Sequence, residues 1–180
     1  MSQSRANPIA VEVTRGQSPE TAFVESRHRA SCAVVAADGT IVHGWGDVDQ
    51  LVFPRSAIKP IQALPLIETG AADAFGYSAA EISLACASHH AEDRHVEAVT
   101  DILGRIGLTA EALECGPKVS IDEAVKIERL KKGVEPSRLR SDCSGKHTGF
   151  LATAMHRGED PAGYIDRTHP VQQRIFQTIS

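Results

Sequence analysis

Aromatic side chains are scarce in this sequence, since Phe, Trp and Tyr together make up only 4% of it. The scarcity argues against a surface on which nucleic-acid bases stack, because such surfaces are built from aromatic rings. Concentrated positive charge is missing as well: the net charge is −4, and the nearest basic cluster is the short run RLKKG at 129–133. These two absences together argue against a nucleic-acid partner.

Long apolar runs are also lacking. No stretch approaches the roughly 18 consecutive apolar residues of a membrane helix, and the first residues, MSQSRANPIA, contain no apolar region of a secretory signal. The sequence therefore predicts no membrane contact and a cytoplasmic location, where its four cysteines would stay reduced. None of the cysteine spacings matches the paired Cys-x-x-Cys frame of a zinc domain.

What is present is the composition of an ordinary folded domain. The 180 residues are 42% apolar and 23% charged, which suffices for a single domain with its own core. Residues 1–53 show period-two alternation and a hairpin signal at Asp38-Gly39, so we expect them to be mainly antiparallel strands. Residues 54–180 place apolar side chains at helical spacing and are expected to be mainly helices. The predicted fold class is therefore α/β, of the α+β kind.

Short local signals place the helix boundaries. Ser78 precedes Glu81 by three residues, and Ser120 precedes Glu123 by three residues, which is the spacing of a capping box. Pro65 within the first helical pattern should kink that helix or move its start. The final segment, HPVQQRIFQTIS, has helical spacing and stops without a helix-ending residue, so we expect the chain to be the first part of a longer protein.

The segment VFPRSAIKP at 52–60 places Ser56 three residues before Lys59. Near a helix start these positions share one face, and a lysine whose pKa falls in a dry pocket can accept the serine proton for acyl transfer. The alternative is that Ser56 caps the helix and Lys59 is solvated. Strands followed at once by a helix that opens on Ser-x-x-Lys are typical of the serine β-lactamase and penicillin-binding fold, which favours the catalytic interpretation.

The segment CASHHAEDRH at 86–95 offers a second serine, Ser88. It either caps the following helix or relays protons between the lysine and a leaving group. The neighbouring polar residues do not follow the His-Glu-x-x-His metal pattern. We interpret them as a charged, solvated helix face: His89, His90, Glu92, Asp93 and His95.

The segment SDCSGKHTG at 141–149 groups Cys143, Lys146 and His147 at an expected helix start. A lysine, an imidazolium and a helix N-terminus all lower a thiol pKa, so Cys143 could serve as a nucleophile or a metal ligand. The alternative is a glycine turn with one buried cysteine. The run CGPK at 115–118 repeats the Cys-x-x-Lys spacing, but it contains a proline and no following histidine, and we interpret it as a loop.

Taken together and in this order, RSAIKP, CASHHAEDRH and SDCSGKHTG resemble the Rhizobium-type L-asparaginase II family, with further support from His-Pro at 169–170. The resemblance implies a serine β-lactamase-like fold whose sheet is incomplete in this chain. Residues 1–180 would then be the N-terminal portion of one longer asparaginase-like domain. The resemblance also implies a homodimer that hydrolyses L-asparagine to L-aspartate and ammonia.

The same resemblance implies roles for individual residues. Zinc in that family supports substrate binding more than chemistry, and a third zinc ligand would lie in an Asp-Gly-Cys segment after Ser180. A lysine ligand is unusual because it must be neutral to bind a metal. The implied assignments are catalysis by Ser56, Lys59 and Ser88, substrate binding by His147 and Arg55, and zinc binding by Cys143 and Lys146.

Two other functions stay open at this point. One is a penicillin-recognising or peptidase-like serine hydrolase on the same scaffold, which a penicillin-type label on Ser56 would favour. The missing export signal argues against a cell-wall role. The other is a non-catalytic, half-length binding module, which a native mass near 19.3 kDa without turnover would favour.

Overall fold

The structure is a computed structural model that describes residues 7–179. Contacts within the chain divide it into two compact units, Met1–Phe53 and Pro54–Ser180. Within the described residues, the strands all lie in the first unit and the helices all lie in the second. The combination of helices with two small antiparallel sheets is an α+β fold with an incomplete sheet, which confirms the predicted fold class.

The strand unit consists of two separate two-stranded sheets. Asp38 and Gly39 form the turn of the second hairpin, where the Asp38 carboxylate accepts the Thr40 N–H at 2.9 Å and Gly39 adopts a φ of +87°. Most strand side chains are exposed, as expected for two-stranded sheets, which are marginally stable by themselves. The pairs are β1 (Ile9–Arg15) with β2 (Phe23–Arg29) and β3 (Cys32–Val35) with β4 (Ile41–Trp45).

The helical unit contains short helices first and longer helices later. In the part of the chain that the structure describes, no helix is both long and apolar enough to cross a bilayer. Two 3-10 turns, Arg55–Ile58 and Ala110–Ala112, accompany the helices. The helices are α1 (Lys59–Gln62), α2 (Leu64–Glu68), α3 (Ala71–Ala74), α4 (Ala79–Ala85), α5 (Asp93–Arg105), α6 (Glu123–Lys131), α7 (Ser144–Arg157) and α8 (Pro170–Ile179).

Helix α7 is the centre of this unit. Helices α2, α3, α4, α5 and α8 all pack against it, and most of its side chains are buried. A helix that is covered on nearly every side needs small or apolar residues, and α7 supplies Gly145, Gly149, Leu151 and Ala152. The surrounding helices contribute buried apolar side chains to the same core, including Leu66, Leu84, Val99, Leu103, Val171 and Ile175.

The first turn of α7 lies directly against the end of α4. A Cβ atom at Gly145 would lie 2.5 Å from Leu84 Cγ and 2.7 Å from the Leu84 carbonyl oxygen, which is closer than real contacts allow. Only glycine therefore permits this approach. The contact places the segment that follows α4 beside the segment that precedes α7, and these are two of the three motif segments.

The capping box at the start of α4 is present as expected. The Ser78 hydroxyl accepts the Glu81 N–H at 3.3 Å, and the Glu81 carboxylate accepts the Ser78 N–H at 2.7 Å. The chain also breaks near Pro65 as expected: α1 ends at Gln62, and Pro65 lies in the first turn of α2. Proline is tolerated there because the first helical N–H groups have no intrahelical partner.

The corresponding expectation for Ser120 is wrong. Asp122 caps α6 instead, because its carboxylate accepts the Val125 N–H at 2.9 Å. The Ser120 hydroxyl donates to the His90 carbonyl oxygen at 2.8 Å. Two good capping residues lie within one turn of each other here, and a tertiary contact takes up the serine.

Replacing Gly145 by Ala should destabilise the protein by about 1–3 kcal/mol, because the new methyl group overlaps backbone atoms of Leu84 that cannot move aside freely. Gly104→Ala is the matched control, since Gly104 is an exposed residue of α5 with no atom within 4 Å of an added Cβ. That change should stabilise by about 0.5–1 kcal/mol. Urea unfolding measures both values, and similar effects at the two positions would contradict the close approach.

Candidate active site

Ser56 lies in the 3-10 turn Arg55–Ile58, directly before α1. Arg55 is exposed and has a φ of +49°, a strained backbone region for a residue with a side chain. Helix α1 begins at Lys59, which is only 4% exposed. The alternative of a helix-capping Ser56 with a solvated Lys59 is therefore wrong, since Pro54 occupies the N-cap position of the turn and Lys59 is buried.

The Lys59 ammonium group links to the two serines in series. Its Nζ donates to the Ser88 hydroxyl at 2.7 Å and to the Ala87 carbonyl oxygen at 3.1 Å. The Ser88 hydroxyl in turn donates to the Ser56 hydroxyl at 3.2 Å. Ser88 thus stands between the lysine and Ser56, although Ser56 is the serine closer to Lys59 in the sequence. Ser88 does not cap α5, whose N-cap residue is Glu92.

Burial lowers the pKa of Lys59 below the ordinary value of a lysine. The nearby cations Lys146 and Lys118 lower it further, and negative charge on Cys143 and Asp142 opposes them. The net lowering increases the fraction of neutral amine near neutral pH. A neutral amine is the form that can accept a proton from a hydroxyl group.

His89 joins the Ser88 segment to the segment before α7. Its backbone N–H donates to the Asp142 carbonyl oxygen at 3.1 Å. One ring nitrogen, Nδ1, accepts the Ala91 N–H at 3.1 Å, so the other, Nε2, is the donor to the Ser144 hydroxyl at 2.9 Å. His89 is 4% exposed, so its interpretation as part of a solvated helix face is wrong.

The environment of His89 favours its neutral form. Burial, followed by repulsion from His95, lowers the pKa of His89 to about 4. The two imidazole rings lie with their centroids 5.0 Å apart. Ala91, which takes part in the same turn, is fully buried and has a φ of +58°. This turn is therefore strained and held by its surroundings.

Cys143 occupies the N-cap position of α7 and lies beside Cys115 and His147. One possible ligand atom from each of the three residues lies within 4.8 Å of the other two. Ser141 Oγ lies 3.4 Å from Cys143 Sγ. The cluster therefore joins a loop cysteine to the N-cap residue of α7 and to a residue of the first turn of that helix.

The two thiols differ in acidity. Hydrogen bonding with Cys115, followed by that with His147, lowers the pKa of Cys143, which makes Cys143 the more acidic of the two thiols. The interaction with Cys143, together with burial, raises the pKa of Cys115. A thiolate next to a thiol and an imidazole is a reactive and metal-binding arrangement.

His147 is held by Tyr164. The His147 Nδ1 lies 2.6 Å from the Tyr164 hydroxyl, and that hydroxyl accepts the Glu114 N–H at 2.8 Å. His147 is 7% exposed and Tyr164 is fully buried. The orientation of the imidazole ring is therefore fixed by a side chain that also contacts the residue directly before Cys115.

The implied zinc ligands Cys143 and Lys146 differ in their fit to a metal. Cys143 supplies a soft thiolate, which suits zinc. The Lys146 Nζ lies 5.1 Å from the centre of the Phe150 ring, the distance of a cation–π contact. A lysine can bind a metal only through its neutral amine, so it is the less usual ligand of the two.

An open cavity of about 450 Å³ lies beside Ser88. Its walls include His90 and His95, together with the ion pair of Arg94 and Glu92, whose charged atoms lie 2.9 Å apart. Side chains of both charge signs thus surround a space next to one of the two serines. A cavity of this size with polar groups in its walls can hold a small molecule.

Reasoning from the sequence missed three residues of this region. Cys115 carried a usable signal, because CGPK repeats the Cys-x-x-Lys spacing of the segment around Cys143. Tyr164 and the buried position of His89 carried none, since both depend on contacts between distant parts of the chain. The roles implied for Arg55 and Lys146 concern side chains outside the hydrogen-bonded series of Lys59 and the two serines.

A buried lysine in contact with a serine hydroxyl is an arrangement that can serve nucleophilic catalysis. The family model for L-asparaginase II matches residues 11–180. The chain therefore belongs to the L-asparaginase II family, as the three motif segments predicted. A comparison with curated proteins finds no match. Family membership indicates an amidohydrolase of the asparaginase type.

The stability of the protein should fall as the pH drops from 6.5 towards 4, because the unfolded state then binds a proton that folded His89 resists. In His89→Gln this contribution is absent. The stability advantage of the wild type over the variant should therefore shrink by about 2–3 kcal/mol across that range.

Urea unfolding at several pH values measures this difference. Ser144→Ala is the matched control, because it removes the hydrogen-bond partner of His89 but keeps the titrating imidazole. It should lower stability while retaining the wild-type slope against pH. A wild-type slope that survives in His89→Gln would contradict a neutral, buried His89.

Proposed function

We propose that this protein is an L-asparagine amidohydrolase that works through a serine–lysine acyl-enzyme. The observation that carries the proposal is the series from Lys59 Nζ to Ser88 and from Ser88 to Ser56, in a member of the L-asparaginase II family. The series supplies a nucleophile, a proton relay and a base. These are the parts that acyl transfer from an amide requires.

Ser56 is the proposed nucleophile because it stands at the end of the series. When Lys59 is charged, hydrogen bonds run from Nζ to Ser88 and on to Ser56. When Lys59 is neutral, both hydroxyl groups can reverse, so that Ser56 donates to Ser88 and Ser88 donates to the amine. Attack of Ser56 on the side-chain amide carbon then sends one proton through Ser88 to Lys59.

The same proton completes the reaction. From the charged Lys59 it passes through Ser88 to the amide nitrogen, and ammonia leaves as the carbon–nitrogen bond breaks. A β-aspartyl ester on Ser56 results. Water then attacks this ester, giving up its proton along the same path, and Ser56 recovers a proton when L-aspartate is released.

Charged groups near the series support an amino-acid substrate. Lys118 and Lys146 create positive charge around Lys59 that attracts a carboxylate. The roles proposed for Arg55 and His147 are contacts with the substrate, Arg55 because it directly precedes Ser56. Zinc held at Cys143, if bound, would supply a Lewis-acidic centre for orienting the substrate.

Ser56→Ala should lower ammonia release from L-asparagine by at least about 1,000-fold, because it removes the proposed nucleophile, the last hydroxyl of the hydrogen-bonded series from Lys59. Ser88→Ala should lower it by about 100- to 10,000-fold through loss of the proton relay. Ser26, a half-buried serine of the strand unit, is the control, and Ser26→Ala should leave the rate unchanged. The assay uses the longest chain that the gene encodes.

The nucleophile is identified by peptide mass spectrometry after an acid quench during turnover. We expect an aspartyl group on the peptide that contains Ser56. An aspartyl group on Ser88 would show that Ser88 is the nucleophile and Ser56 the relay. If the parent protein released no ammonia, with or without zinc, the proposed activity would be wrong.

The rate constant kcat/KM should rise with pH, with its midpoint below 10.5, since the base is a lysine of lowered pKa. Lys118→Met should move this midpoint to higher pH, because it removes a cation that lowers the pKa of Lys59 and frees the charge of Asp142. Lys132→Met, at an exposed ion pair with Glu128, is the control and should not move it. A downward shift in Lys118→Met would be incompatible with Lys59 as the base.

A further inference from the structure

We propose that the cavity beside Ser88 is a leaving-group pocket, through which the protein also hydrolyses L-asparagine derivatives that carry an apolar substituent on the side-chain amide nitrogen. This inference rests on the proposed amidohydrolase function and adds a substrate class to it. The cavity has a volume of about 450 Å³ and lies between α4 and the start of α5.

The position of Ser88 determines which part of a substrate faces this cavity. In the proposed reaction Ser88 passes the proton to the departing nitrogen, so that nitrogen lies within hydrogen-bond reach of the Ser88 hydroxyl. Ser88 belongs to the wall of the cavity, whereas Ser56 and Lys59, to which its hydroxyl bonds, do not. A group attached to the nitrogen can therefore extend past Ser88 into the cavity.

The cavity is much larger than the leaving group of L-asparagine requires. Ammonia is close in size to a water molecule, which occupies roughly 30 Å³ of the liquid. The space beside Ser88 is more than ten times as large. Its size therefore suits the departure of a substituted amine.

One wall of the cavity is a row of small and apolar side chains along α4. Ala80, Ser83 and Leu84 follow the i, i+3, i+4 spacing of a single helix face. Ala87 continues the row one turn later, directly before Ser88. At 1.5 Å of rise per helical residue, the row is about 10 Å long. A slot with these side chains suits an aliphatic or aryl group.

The charged side chains in the cavity wall already have partners. The Glu81 carboxylate accepts hydrogen bonds from Arg105 at 2.6 Å and from the Ser78 N–H at 2.7 Å. The charged atoms of Glu92 and Arg94 lie 2.9 Å apart and pair with each other. Because the charges of the wall are compensated within the protein, the cavity favours an uncharged substituent over a charged one.

Histidine rings line the cavity on the side of α5. His89 is buried, and burial also lowers the pKa of His95, which favours its neutral form. The two rings lie with their centroids 5.0 Å apart. Neutral imidazole rings present a partly apolar face, and the small side chain of Ala98 lies next to them in the wall. This side of the cavity can therefore pack against an aryl group.

The additional reaction uses the same proton path as the hydrolysis of L-asparagine. The Ser56 oxygen bonds to the side-chain amide carbon, and its proton passes through Ser88 to Lys59. The proton then returns through Ser88 to the amide nitrogen, and the carbon–nitrogen bond breaks to release a primary amine in place of ammonia. The β-aspartyl ester on Ser56 is the one formed from L-asparagine, and water hydrolyses it to L-aspartate.

The test compares L-aspartate β-benzylamide with L-aspartate β-methylamide, using the longest chain that the gene encodes. Both compounds are secondary amides with the same acyl group, and only the first carries an aryl group that the pocket can bury. The rate constant kcat/KM, measured from L-aspartate release, should be about 10- to 100-fold higher for the benzylamide. A ratio of one or less would overturn the proposal.

Ser83→Phe should lower this ratio by at least about tenfold, because Ser83 is an exposed residue in the middle of the α4 row and a phenyl ring there fills the slot. Thr100→Phe is the control. Thr100 is also exposed but lies on the face of α5 opposite Arg94, His95 and Ala98, and its substitution should leave the ratio unchanged. Both rates come from one preparation, so any loss of folded protein cancels. An unchanged ratio in Ser83→Phe would contradict the pocket.

Binding to the Ser56→Ala variant separates the pocket from the chemistry. By calorimetry, the benzylamide should bind this variant about 10- to 100-fold more tightly than the methylamide. A protein that hydrolyses L-asparagine but distinguishes the two amides in neither rate nor affinity would overturn the pocket alone. A protein that hydrolyses none of the three compounds would overturn the proposed function and the additional activity, and tighter binding of the benzylamide would then still support the pocket.

Discussion

The contact between Gly145 and Leu84 is the constraint on which the candidate site depends. It allows the start of α7 to lie against the end of α4 at a distance that no other residue at position 145 permits. Ser88 follows α4 by three residues and Cys143 directly precedes α7, so this single approach brings the two segments together. His89 then fastens them with a backbone bond to Asp142 and a side-chain bond to Ser144.

A second feature is the way in which the charge of Lys59 is buried. Both of its hydrogen bonds go to uncharged oxygen atoms, of Ala87 and Ser88. A carboxylate partner would have stabilised the ammonium form, whereas neutral acceptors and burial leave the proton easier to remove. Negative charge on Cys143 opposes this effect by raising the pKa of Lys59. The pKa of Lys59 is therefore lowered by burial and by charges farther away, without a direct ion pair among the described residues.

Much of the local structure could be predicted from short stretches of sequence. The turn at Asp38-Gly39 and the capping box of Ser78 and Glu81 each involve residues within three positions of one another, and the structure contains both. The same reasoning failed at Ser120, because Asp122 offers a competing cap two residues later. Local rules name candidate residues, but they do not choose between neighbours when tertiary contacts take up one of them.

The sequence alone was sufficient for the α+β class and for the family, because these follow from periodicity and from the order of three motifs. The linkage of the residues in these motifs required the fold. Lys59 and Ser88 are 29 positions apart and His89 and Ser144 are 55 apart. Their contacts, like the pKa of a buried group, depend on which distant atoms exclude water from them. Ser88 between Lys59 and Ser56, and Cys115 beside Cys143, are consequences of helix packing that residue spacing does not contain.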